Sequence, residues 1–126
     1  MARILVIDDD LLVRTTVRMV LEHHGHEIVE AENGNAGICA DADYKAALVI
    51  TDIIMPEKEG IETIRHFRET RPSVKIIAIS GGGELHQNSP LAAARLLGAN
   101  RVLAKPISNC ELIEAVDSCL AEATHR

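Results

Sequence analysis

Leu48-Val49-Ile50-Thr51-Asp52-Ile53-Ile54-Met55-Pro56 is the stretch on which the fold turns. Its apolar residues do not alternate with polar ones, which predicts a strand covered on both faces, as in a parallel sheet. A carboxylate, Asp52, ends that strand just before a turn that contains Pro56. Ile4-Leu5-Val6-Ile7 is equally apolar and is closed by Asp8 and Asp9, while Val102-Leu103-Ala104 is closed by Lys105 directly before Pro106. Three strand ends therefore carry charge. If those ends converge, they form a cluster of carboxylates with one cation, which suits a divalent metal and phosphoryl chemistry better than it suits stability.

Around these runs the chain alternates between strand-like and helix-period segments, five of each, the pattern of a parallel sheet with helices on both faces. The strands read as residues 3 to 7, 27 to 31, 47 to 51, 74 to 79 and 101 to 104. The partly polar run Glu27 to Ala31 belongs at a sheet edge. A first helix over about 12 to 24 puts Val13, Val17, Val20 and Leu21 on one face, with Gly25 as its C-terminal cap. A second lies near 34 to 42, and a third uses Ile61, Ile64 and Phe67 inward before Arg71-Pro72 stops it. A fourth follows the glycine-rich loop Ser80 to Pro90, and a last one aligns Leu112, Ile113, Val116, Cys119 and Leu120 behind Ser108 or Asn109 as N-cap.

With 126 residues, 47% hydrophobic and 25% charged, the chain reads as one globular domain over residues 1 to 126. The 21 residues after Lys105 suffice for a helix and a short tail, so no output domain is expected. No apolar run approaches the roughly 18 residues of a membrane span, and the start lacks a secretory signal, which makes a cytoplasmic location the expectation. Cys39, Cys110 and Cys119 have neither disulfide nor zinc spacing and read as reduced thiols. A formal charge of -6 and two aromatic residues, Tyr44 and Phe67, argue against a nucleic-acid surface and point to protein partners.

In an open α/β sheet functional residues gather at the carboxyl ends of the strands, and Asp8, Asp9, Asp52, Ser80 and Lys105 all fall there. Three ionised carboxylates brought together repel by about 4 kcal/mol per pair at ~4 Å and an effective dielectric near ~20. Mg²⁺, or Mn²⁺ in its stead, relieves this with oxygen ligands, and would prepare Asp52 as a nucleophile toward phosphorus with Lys105 neutralising the transferred group.

Ile7-Asp8-Asp9, Thr51-Asp52 with Met55-Pro56, Ser80-Gly81 and Lys105-Pro106, taken in this order, resemble the receiver domain of two-component response regulators over essentially the whole chain. The resemblance implies a flavodoxin-like α/β fold, a five-stranded parallel sheet of order 2-1-3-4-5 with five flanking helices. It further implies that Asp52 accepts a phosphoryl group from a sensor histidine kinase or histidine phosphotransfer protein in a Mg²⁺-dependent reaction. Asp9 and Asp52 would bind the metal directly, Asp8 through water, and the backbone carbonyl of Ile54 would complete the protein ligands. Ser80 would turn toward the phosphoryl group, Lys105 would pair with it, and the Lys105-Pro106 bond would be cis. The output would be conformational change and binding to a downstream protein, with or without a homodimer, and no catalysis beyond the domain's own phosphorylation and dephosphorylation.

Two positions depart from the family pattern. Val102 stands where the family often has an aromatic residue, and the loop after Ser80 is longer and richer in glycine. Other readings are a phosphorylation-independent scaffold, a receiver piece of a longer regulator or hybrid kinase, and a metal-dependent aspartyl phosphatase. The last needs a second Asp two residues after the nucleophile, where this chain has Ile54. Asp10 reads as a helix cap, His23, His24 and His26 as a solvated helix end, and Met19 and Met55 as packing residues.

Overall fold

Alternation of apolar side chains along each strand organises two cores, one on each face of a parallel sheet. The computed structural model describes residues 2–53, 59–80 and 98–124. Its elements are β1 (Arg3–Ile7), α1 (Leu11–His23), β2 (Glu27–Ala31), α2 (Gly34–Tyr44), β3 (Leu48–Asp52), α3 (Glu59–Thr70), β4 (Lys75–Ser80), β5 (Arg101–Ala104) and α4 (Asn109–Thr124). The sheet order is β2-β1-β3-β4-β5, all pairs parallel, as the resemblance implied. The polar strand β2 lies at an edge, where its outer backbone groups meet water. Four helices are described; the fourth helix expected from the sequence lies outside the described residues, as do Met55-Pro56 and Gly81 to Pro90.

Leu5, Ile7, Val49, Ile76 and Ala78 face Ile64 and Phe67 of α3 and the inner side of α2, while Ile4, Val6, Leu48, Ile50, Ile77 and Ile79 face Val17 and Leu21 of α1 and Leu112, Val116 and Cys119 of α4. Successive residues of a strand thus serve opposite cores, which is why these runs show no polar alternation. Gly37 lets α2 lie directly on Ile7: a Cβ there would fall 2.7 Å from Ile7 Cγ1.

Local signals fix the helix ends. Asp10 Oδ1 accepts the Leu12 amide at 2.9 Å and caps α1. At the other end Gly25, at φ 96, donates to Glu22 O at 3.0 Å, and His26 donates to Leu21 O at 3.0 Å, so a left-handed residue closes the helix and returns the chain to β2. Ser108 Oγ accepts the Glu111 amide at 3.0 Å while Glu111 Oε1 accepts the Ser108 amide at 3.4 Å, a reciprocal cap that starts α4. Two sequence readings need correction. His26 is only partly solvated: its Nδ1 accepts the Ala2 amide at 3.1 Å and its Nε2 is buried. Met19 does not pack inward; it is 65% exposed on the outer side of α1.

Candidate functional site

Register brings the acids together. Ile7 pairs with Thr51, so the next residues, Asp8 and Asp52, leave the sheet side by side at its carboxyl edge. One carboxylate oxygen from each of Asp8, Asp9 and Asp52 lies within 4.8 Å of the others. Asp8 and Asp52 are buried, whereas Asp9 is exposed, so among the described residues the cluster has a buried floor and meets solvent at Asp9.

Lys105 reaches this floor from across two strands. Ser80 pairs with Ala104, and the Lys105 amide donates to Ser80 O at 2.7 Å, which fixes the root of the lysine beside β4. Its Nζ lies 3.1 Å from Asp8 Oδ2 and 3.3 Å from Asp52 Oδ2. Burial pulls the ammonium pKa down, but the close contact with the Asp8 carboxylate and the charges of Asp52 and Asp8 outweigh it, so the pKa is raised and the group is cationic at neutral pH. Ser80 is buried one residue beyond Ile79, the register partner of Asp52. The Lys105-Pro106 bond is cis, as the resemblance implied. The Ile54 carbonyl lies outside the described residues.

The residues fit a hard divalent cation. Asp8 Oδ1 accepts the Asp10 amide at 2.9 Å, while Asp8 Oδ2 is buried without a well-directed hydrogen bond and faces Lys105 only as an ion pair. A buried carboxylate oxygen left so, among all-oxygen donors that outnumber the ammonium, is the donor set Mg²⁺ prefers.

Two supports of the site were not read from the sequence. Gly60, in the first turn of α3, lies against the end of β3: a Cβ there would collide with Ile53 Cα and come 2.5 Å from Asp52 O. Arg14 donates from Nη1 to Asp8 O at 2.7 Å and from Nε to Glu30 Oε1 at 3.1 Å. An arginine on a helix opposite a glutamate on the next strand is a charge pattern visible in sequence, but its contact with a carbonyl is not.

A flavodoxin-like parallel sheet with an acid cluster and a lysine at its carboxyl edge is the arrangement of a phosphoacceptor signalling domain. The chain belongs to the response regulator receiver domain family, whose pattern it matches over residues 4–117. It is 34% identical over 98% of its length to the DNA-binding transcriptional regulator NtrC of Azospirillum brasilense, of which it spans 25%. It is 32% identical to the chemotaxis protein CheY of Bacillus subtilis, with 94% of this chain and 97% of that protein covered. The crystal structure of a CheY-like receiver domain protein from Methanospirillum hungatei JF-1 superposes with a TM-score of 0.88 at 27% identity, covering 98% of this chain and 96% of that one.

Proposed function

We propose that Asp52 is the phosphoacceptor of this receiver and that the chain signals through its phosphorylated state. The observation that carries this is the convergence of Asp8, Asp9 and Asp52 within 4.8 Å, with Lys105 Nζ 3.3 Å from Asp52. A carboxylate oxygen of Asp52 attacks the phosphorus of a phosphohistidine protonated at its other ring nitrogen, the P–N bond breaks as the acyl P–O bond forms, and the bond pair stays with the ring, which leaves as neutral imidazole. Lys105, already charged, moves its ammonium from the carboxylates to the incoming phosphoryl oxygens, and the Ser80 hydroxyl donates to another. Asp9 and Asp52, with Asp8 through water and the Ile54 carbonyl, would hold Mg²⁺ or Mn²⁺, which supplies charge neutralisation to the phosphoryl oxygens when bound. The rigid sheet end keeps the nucleophile and the ammonium in reach of one phosphorus, so the protein contributes position and electrostatics.

The donor is a sensor histidine kinase or a histidine phosphotransfer protein, and it must approach from the wet side at Asp9. Leu11 and Leu12 stand 64% and 73% exposed just beyond, which offers that donor an apolar footing. The output is a downstream protein that distinguishes the two states. We read the chain as non-enzymatic and cytoplasmic, in keeping with its family and with the lack of any helix among the described residues long and apolar enough to cross a membrane.

The test is intact mass after incubation with Mg²⁺ and a small acyl phosphate. One added phosphoryl group in wild type, absent in Asp52→Asn, is expected; equal modification of both removes Asp52 from the role. Many turnovers of phosphate release from diverse monoesters would instead establish a phosphatase.

A further inference from the structure

We infer that Arg14, held by Glu30, is a positioning residue for the cation site, acting on Asp9 through the backbone of Asp8. This rests on the reading of the acid cluster as a Mg²⁺ site. Asp9 is exposed, so the aim of its carboxylate is set by the peptide plane that precedes it. The peptide plane one residue earlier is anchored by the Asp8 amide, which donates to Ala31 O at 3.1 Å, and the plane before Asp9 is held by its own carbonyl, Asp8 O, which accepts Arg14 Nη1 at 2.7 Å. Rotation of the Asp8–Asp9 peptide would break the second bond and swing Asp9 away from Asp52.

The guanidinium is itself held from outside. Its Nε donates to Glu30 Oε1 at 3.1 Å, Glu30 Oε2 accepts Arg18 Nη1 at 2.7 Å, and Arg18 Nε reaches Glu22 at 2.9 Å. Arg14 and Glu30 side chains are only 14% and 21% exposed, so their bonds are little diluted by water. The fork of arginine suits this double duty, since a lysine ammonium in place of Nη1 would leave Glu30 without its Nε partner.

Charge and geometry predict opposite results, which makes the inference testable. Removing a cation beside a metal site tightens metal binding if the cation acts by charge alone. If Arg14 acts by position, Arg14→Met weakens it, by roughly tenfold, as loss of an outer support of a metal ligand does. Mg²⁺ affinity is measured by titration calorimetry on the whole chain, and the rate of acyl-phosphate labelling is followed against Mg²⁺ concentration. The expected pattern is a tenfold higher half-saturating Mg²⁺ for Arg14→Met, a labelling rate at saturating Mg²⁺ within about twofold of wild type, and only partial recovery in Arg14→Lys.

Arg14→Lys, which keeps the charge but not the fork, serves if Arg14→Met folds poorly: position predicts a half-saturating Mg²⁺ a few-fold above wild type, whereas charge alone predicts no change. Arg18→Met, which breaks the pairs with Glu22 and Glu30 Oε2 but leaves Arg14 bonded to Asp8 O and Glu30 Oε1, should leave it within twofold of wild type. Unchanged or tighter Mg²⁺ binding in Arg14→Met, or equal weakening in Arg18→Met, overturns the inference. Wild type that binds no Mg²⁺, or binds it equally well as Asp9→Asn, overturns instead the reading of the acid cluster.

Discussion

Lys105→Met removes the ammonium from two buried carboxylates while keeping the length of its stem. Nζ lies 3.1 Å from Asp8 and 3.3 Å from Asp52, so at an effective dielectric of ~20 each contact carries roughly 5 kcal/mol of attraction before desolvation is charged against it. Breaking a buried pair from one side costs about 3–5 kcal/mol, because the stranded charges stay out of water. The Lys105 side chain is 23% exposed and Asp9 opens the site to solvent, which brings the loss below that range, to about 2–3 kcal/mol. With a urea slope of about 1–3 kcal/mol per molar, the midpoint in EDTA should fall by roughly 1–2 M, followed by far-ultraviolet circular dichroism because the chain has no tryptophan. Saturating Mg²⁺ should recover at least half of the deficit, since a divalent cation neutralises the same carboxylates, and by linkage Mg²⁺ must then bind the variant more tightly. Labelling by acyl phosphate should nonetheless slow, because the phosphoryl oxygens lose their ammonium. A midpoint unchanged in EDTA, or a deficit identical with and without Mg²⁺, would refute the electrostatic account of the site.

Gly60→Ala should cost about 1–3 kcal/mol, against the usual gain for such a change in a helix, because the new methyl meets the Asp52–Ile53 backbone. It should also slow labelling of Asp52, and a variant as stable and as fast as wild type would show that the close approach is immaterial. Arg71→Met should destabilise by about 3 kcal/mol, as it strands the buried Asp41 carboxylate that Arg71 Nη1 now holds at 2.9 and 2.8 Å. Asp41→Asn, which keeps an acceptor for the Ala46 amide at 2.8 Å, should lose less, and the order is read from urea midpoints. Burial, aided by His24, holds the His26 pKa below its ordinary 6.5, so the fold favours the neutral ring. Its contribution is complete above pH 6.5 and is lost as pH falls from there through the lowered folded value; His26→Gln should flatten that part of the stability profile, and an unaltered slope would assign it to another group.

The central strands were legible because burial on both faces leaves runs such as Ile4 to Ile7 and Leu48 to Ile50 wholly apolar, whereas the edge strand β2 keeps Glu30 within it. The caps Asp10, Gly25 and Ser108 were legible because each acts on its own neighbours. Second-helix length was less so, as α2 carries little periodicity and runs to Tyr44 on the strength of its Asn33 cap and its packing on β1.

By itself the sequence determined which charged residues close the buried strands, and charge there is costly enough to need a use. It placed the five strands to within a residue and put Asp52, Asp8, Asp9, Ser80 and Lys105 at or just beyond their carboxyl ends. Only the tertiary structure decided that Lys105 lies nearer Asp8 than Asp52, that Arg14 grips the Asp8 carbonyl, and that Gly60 abuts the end of β3. The reason is range. Propensity and capping act within a turn or two of chain, whereas these contacts join residues whose separation in space is fixed by strand order and register, and by nothing local.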